Sequence, residues 1–200
     1  PQWLARDLLT LLEQVHHPLS VRSSSLLEDA HFQPYAGLYD THMIPNNHPD
    51  PQRRGAHLQE AVKRVFSSTY YQGPKAFSKK TGNAPHEESM AVIIQELAGR
   101  SYGKFFYPDL SGLAQSHNFY PVSRMKAEDG IARIALGFGR CVMEGERSLR
   151  FCPRYPTILP QFSTIDDILA NAQRFFYALQ VRDYPDELTF AVPYAMYEQM

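Results

Sequence analysis

VRSSSLLED, residues 21–29, places an arginine and three consecutive serines between a hydrophobic approach (Pro18, Leu19, Val21) and two acids, Glu28 and Asp29. Arginine offers a fixed fork of donors suited to phosphate oxygens, and small hydroxyl side chains let backbone N–H groups come close to the same anion. The stretch reads as a short strand running into a serine-rich turn. That turn is either a polyphosphate grip or a plain connection into the two acids.

Working outward, Trp3, Leu4, Leu8, Leu11, Leu12 and Val15 recur at helical spacing, which predicts a helix over residues 2–16 that ends before Pro18. Residues 31–57 hold four prolines and two glycines and read mostly as loop. Leu58, Ala61, Val62, Val65 and Phe66 predict an amphipathic helix at 57–71, with Glu60, Lys63 and Arg64 on its polar face. QGPKAFSKKTGNAPHEES reads as a polar connector, and the apolar run MAVIIQEL (90–97) as a buried central strand. From 99 to 154, short apolar stretches alternate with Gly and Pro, as in a sheet of short strands with one helix or turn between. Residues 155–163 read as a linker, and 165–181 as a helix started by Ser163 or Thr164 with Asp166 and Asp167 in its first turn. The class is α+β, a mixed sheet with flanking helices.

Composition narrows the function. Twenty Lys and Arg against 21 acids leave no electrostatic footprint for nucleic acid or an anionic membrane, and no apolar run is long enough to span a bilayer. Cys141 and Cys152 are too few for a disulfide framework and lack zinc spacing, so both thiols are expected buried or idle in a reducing cytoplasm. His42, His48 and His57 do not have the spacing of a zinc site and read as solvated loop residues. In the aromatic tract that follows the strand at 90–97, Phe105, Phe106, Phe119 and Tyr120 read as core or sheet-face packing rather than base-stacking platforms. Arg124 and Lys126 are either a local anion patch or a charged turn.

The order of motifs resembles the phosphoenolpyruvate synthase and pyruvate phosphate dikinase family. VRSSSLLED is similar to the family's V-R-S-S-x-x-x-E-D, PYAGLYDTHMIPN to S-F-A-G-Q-x-D-T-x-L-N, MAVIIQELAG to M-A-V-x-x-Q-x-M-V, SGLAQSHN to S-G-V-x-F-T, and LGFGRCVMEGERS to G-L-G-E-x-V-V-x-G. These five lie in order over residues 18–154. The resemblance implies an ATP-grasp-like nucleotide-binding domain, partial here, over 1–154, followed at 155–200 by a linker and a C-terminal helical or extended segment. It implies Mg²⁺ and ATP as cofactors, with Arg22 as the catalytic contact to the transferred phosphates and Gly37, Asp40 and Thr41 as a closing loop. Gln95 and the backbone around Glu96 and Leu97 would edge the adenine, Arg147 would meet phosphates, and Glu144 would hold magnesium.

Family members pass phosphate from ATP to a histidine on a swivelling domain, which carries it to pyruvate or a related acceptor on a third domain. The resemblance therefore implies a cytoplasmic ATP-dependent phosphotransferase whose partners are those two domains, with neither nucleic acid nor membrane involved. The chain starts at Pro1, directly before an amphipathic run, and is expected to be a fragment that is inactive alone. Gly137-Phe138-Gly139-Arg140 departs from G-L-G-E by exchanging an acid for a base. That exchange, with the altered SGLAQSHN, motivates the alternative of a degenerate, non-catalytic nucleotide-sensing or scaffold module.

Overall fold

The computed structural model describes residues 1–25, 39–81, 89–143, 145–182 and 192–195. The chain divides into two units, Pro1–Ala98 with Leu179–Ala191 and Gly99–Ala178 with Val192–Met200. Helix and strand are mixed in the chain, which is α+β.

In the first unit, α1 (Gln2–Gln14) buries Leu8 and Leu12 and ends ahead of Pro18, which cannot continue helical hydrogen bonding. Strand β1 (Leu19–Ser25) lies between β2 (Thr41–Ile44) and β3 (Met90–Glu96), antiparallel to both. Helices α2 (Pro51–Ser68) and α3 (Gln72–Thr81) connect β2 to the segment before β3. Leu12, Leu19, Val21, Ile44, Leu58 and Val65 form the buried core between helices and sheet. Gly55 lets α2 approach α1, since a Cβ there would lie 2.6 Å from Leu9 Cδ2. At the same place the buried Arg54 donates from Nη2 to the Leu12 carbonyl (2.9 Å) and from Nη1 to that of Val15 (3.4 Å), closing the end of α1. Asn46, with φ of 49°, adds bonds from Nδ2 to the carbonyls of Val15 and His17.

Four expectations change here. The helix predicted from 57 starts at Pro51, because the Asp50 side chain accepts from the Gln52 N–H and Pro51 suits a first turn. The polar connector contains α3, whose Pro74 falls within the first turn, where no intrahelical donor is needed. The serines of VRSSS belong to a strand, not a turn. And β3 is an edge strand among the described residues: Val92 and Ile94 pack on the core while Ile93 on the other face is 36 % exposed, so a continuous apolar run covers only one buried side.

In the second unit, β4 (Arg100–Tyr102) and β5 (Phe105–Tyr107) make a hairpin turned by Gly103 and Lys104, with φ of 60° at the glycine. β6 (Ser111–Gln115), β7 (Ile131–Ala135) and, after α4 (Arg140–Met143), β8 (Leu149–Phe151) form an antiparallel sheet in that order. α5 (Ile165–Asn171) precedes β9 (Phe175–Gln180), which pairs with β10 (Val192–Ala195) in a sheet ordered β10-β9-β5-β4. Thr164 caps α5 reciprocally with Asp167, as the capping motif predicts. The helix predicted to reach 181 nevertheless stops at Asn171, and the aromatic run that follows takes strand pairing. The segment read as linker carries a bridge between Cys152 and Tyr155 and a 3₁₀ turn at Pro160–Phe162. Both cysteines are buried. Phe106 packs inside as expected, but Phe119 and Tyr120 are 70 % and 76 % exposed. They follow Asn118, which turns inward and accepts the Tyr120 N–H on Oδ1.

Candidate functional site

The ladder register decides which side chains meet. Arg22 is the direct partner of Thr41 on β2 and of Ile93 on β3, while Ser20 is the partner of Met43 and Gln95. Because side chains alternate along each strand, Arg22, Thr41 and Gln95 leave one face of the sheet, and Leu19, Val21, Ile44 and Ile94 leave the other toward the helices. Three predicted site residues from separate segments therefore share a surface, and all three are exposed. Of the serines, Ser24 points with Arg22, whereas Ser23 and Ser25 are buried on the core face. No acid stands on the Arg22 face of these strands, and Arg22 has no hydrogen bond or ion pair among the described residues. An exposed guanidinium among hydroxyl and amide groups, without a carboxylate, suits an anion.

Asp40, just before β2, is tied instead to the helix side of the sheet: its N–H donates to Ser68 Oγ of α2 (3.1 Å), which donates to the Val65 carbonyl (2.7 Å). Its Oδ2 lies 3.7 Å from Nε2 of His42, whose ring sits on the core face. Burial lowers the His42 pKa from its ordinary 6.5, with Asp40 opposing and Arg64 assisting. A depressed imidazole favours folding fully above the unfolded value. As pH falls through 6.5 the unfolded chain binds the proton first, so stability drops. In His42→Gln, the loss of stability between about pH 7 and pH 5 in denaturant titrations is expected to shrink. An unchanged loss would assign the acid sensitivity to other groups.

The backbone groups at the end of β3 face two ways. The Leu97 N–H already donates to the Pro18 carbonyl (2.8 Å). Antiparallel alternation turns the Glu96 N–H and carbonyl away from β1, along the open edge of β3, so Glu96 holds the backbone pair that faces outward. Gly37 and Glu144 lie outside the described residues. Among the described residues no group of three His, Cys, Asp or Glu is arranged to hold a metal ion.

In the second unit, the loop at Gly137-Phe138-Gly139 is held from several sides. Gln173 accepts the Leu136 N–H (2.8 Å) and donates to the Leu136 and Phe175 carbonyls; Ser111 Oγ donates to the Gly137 carbonyl (2.6 Å), and the Phe138 N–H to that of Tyr177 (3.0 Å). Arg140 places its guanidinium 4.8 Å over the Tyr177 ring, and the Tyr177 hydroxyl donates to Glu146 Oε1 (2.8 Å). Burial, then this bond to Glu146, pushes the Tyr177 phenol up to about 12, and burial, then the thiol's own interaction with Glu146, pushes Cys141 up to about 11, leaving both neutral. Arg147 is exposed and makes no hydrogen bond or ion pair among the described residues. Glu146, Gln173 and Tyr177 were missed: the last two fell inside the predicted helix, and nothing in their local sequence marks a partner more than thirty residues away.

A family model described as pyruvate phosphate dikinase, AMP/ATP-binding domain, matches residues 4–153. A search of curated proteins gives no match. The match covers most of the 200 residues and spans both the Arg22 surface and the Gly137 loop, so the chain belongs to the family of pyruvate phosphate dikinase AMP/ATP-binding domains.

Proposed function

We propose that the chain is the ATP-binding portion of a cytoplasmic, dikinase-like phosphotransferase with an ATP-grasp-like fold. Phosphate passes from Mg-ATP to a histidine on a separate swivelling domain and then to pyruvate or a related acceptor on a third. The observation that carries this is the common face shared by Arg22, Thr41 and Gln95. Phosphoryl transfer demands mainly positioning and charge neutralisation, which an exposed arginine beside hydroxyls is suited to supply. Thr41 at the start of β2, with Asp40 and Gly37 before it, closes over the phosphates, Gln95 and Glu96 meet the adenine, and Arg147 and Glu144 serve phosphates and magnesium.

Calorimetry of Mg-ATP binding to the chain tests this. Arg22→Ala is expected to weaken binding by about ten-fold or more with the far-UV spectrum unchanged, the loss of a charge-assisted contact. Equal affinity in wild type and variant would remove Arg22 from the site. One observation favours a second reading, a nucleotide-sensing module without turnover: Arg140, where the family motif has an acid, lies against Tyr177. Histidine phosphorylation in a protein carrying the swivelling domain separates the two, since turnover removes the sensor reading.

A further inference from the structure

The β6-β7-β8 sheet carries a row of three side chains straight across its strands. Leu113 on β6, Arg133 on β7 and Arg150 on β8 are direct register partners, so all three leave the same face, with the Cβ atoms of neighbours roughly 5 Å apart. Like charges directly opposite in a ladder destabilise it unless a counter-charge intervenes. None of the three strands holds an acid. Among the described residues neither guanidinium has a hydrogen bond, ion pair or ring contact. Two acids that flank these strands are engaged elsewhere: Asp129, its side chain 2 % exposed, takes Arg154 Nη1 on Oδ1 (2.8 Å) and the Lys126 N–H on Oδ2 (2.8 Å), and Glu146 takes the Tyr177 hydroxyl (2.8 Å).

The row lies on a surface, not in a cavity. Leu113 is 41 % exposed and Gln115 on the same face is exposed, while both arginines are half-buried. Beyond Arg150, the hollow that it borders with Ile131, Tyr120 and Val122 has room for a single water, about 10 Å³, so anything that meets these arginines lies across the face. The loop after β6 leaves Phe119, Tyr120 and Val122 exposed, and it is pinned by the Asn118 N–H, which donates to the Ala127 carbonyl (2.8 Å). On the other side, the Arg150 N–H is taken by Gln161 Oε1 (2.8 Å), which closes the outer edge of β8 at that residue to strand pairing. The arginine pair thus has apolar groups on both flanks, Leu113 next to Arg133 and Tyr120 with Val122 next to Arg150. Arginine and aromatic side chains on one surface are the residue types that protein interfaces favour. Two adjacent guanidinium groups match one or two carboxylates and are too few to neutralise a run of phosphates.

We propose that this face docks an acidic protein segment, whose Asp or Glu carboxylates lie against Arg133 and Arg150 and whose apolar side chains cover Leu113 and Tyr120. The inference is independent of the nucleotide reading, because none of these residues belongs to those placed at that site.

Fluorescence anisotropy on the full chain tests it, with a short labelled peptide of alternating glutamate and phenylalanine beside the same peptide carrying glutamine for glutamate. The glutamate peptide is expected to bind about ten-fold or more tightly than its glutamine counterpart, and to weaken as salt is raised. Arg133→Gln and Arg150→Gln are each expected to weaken it by about ten-fold or more, whereas Arg22→Ala leaves it unchanged. Leu113→Glu sets a carboxylate directly opposite Arg133, and is expected to abolish peptide binding while raising the peptide-free Tm by about 1–3 °C, a gain that only a folded variant can show. Equal binding of the two peptides, or equal binding by wild type and both arginine variants, would overturn the proposal. So would inorganic phosphate or a single-stranded oligonucleotide that binds the wild type more tightly than the glutamate peptide and loses that binding in Arg133→Gln.

Discussion

Arg54→Ala is expected to cost the first unit about 3 kcal/mol, enough to remove a large part of a domain's stability. Arg54 is 6 % exposed, and among the described residues its charge faces no carboxylate; it faces the carbonyl end of α1. The last carbonyls of a helix lack intrahelical partners and carry the negative end of its dipole, so Leu12 and Val15 act as the counter-charge. The variant leaves the Leu12 carbonyl without its donor, whereas Val15 keeps the bond from Asn46. His16 Nδ1, 3.1 Å from Arg54 Nη1, must accept there, because guanidinium only donates. Arg54→Lys keeps the charge but loses the fork, and is expected to retain about half of the stability. Trp3 on α1 is the chain's one tryptophan, so urea titration followed by its fluorescence reads this unit directly. A shift under about 0.5 kcal/mol in Arg54→Ala would mean that the end of α1 is satisfied by other groups.

What could be read in the sequence follows from how local each cause is. The apolar stripes of α1 and α2 and the capping pair Thr164 and Asp167 act within a few residues, and each is where the pattern predicts it. The start of α2 was missed because Asp50 and Pro51 lie before its first core residue, so periodicity alone sees only from Leu58 onward. β9 reads as part of a helix because an apolar run of five, Phe175 to Leu179, continues the density of apolar residues in α5, and only pairing with other strands reveals the change of period. Placement of β3 at an edge is likewise a property of the ladder and not of its own residues. The candidate site shows the same division. Arg22, Thr41 and Gln95 were chosen by motif order, but their meeting on one face depends on register, as does the burial of Ser23 and Ser25 beside them. Gln173, which holds the Gly137 loop from thirty-seven residues away, has no local signature at all.

Gly137→Ala is expected to destabilise the second unit by about 3 kcal/mol, and the glycine eight residues later gives the control. Gly137 has φ of 73°, a left-handed conformation that costs other residues roughly 1–2 kcal/mol. Gly145 has nearly the same angle, 75°, but a Cβ there meets nothing within 4 Å, so Gly145→Ala is expected to cost about 1 kcal/mol from the backbone alone. At Gly137 the added atom would lie 2.6 Å from the Tyr177 carbonyl oxygen and 2.8 Å from Phe176 Cδ2. The oxygen cannot retreat cheaply, because it accepts the Phe138 N–H within β9's pairing. The extra about 2 kcal/mol is therefore the overpacking cost of moving the loop off the strand. Tyrosine near-UV dichroism during urea unfolding reads it, with Trp3 fluorescence expected to stay at its wild-type midpoint. Displacing this loop also moves Arg140 off the Tyr177 ring and frees the bond to Glu146. If Gly137→Ala matched Gly145→Ala, the loop would tolerate a shift of several tenths of an ångström, and the position of Arg140 would not be set by its packing on β9.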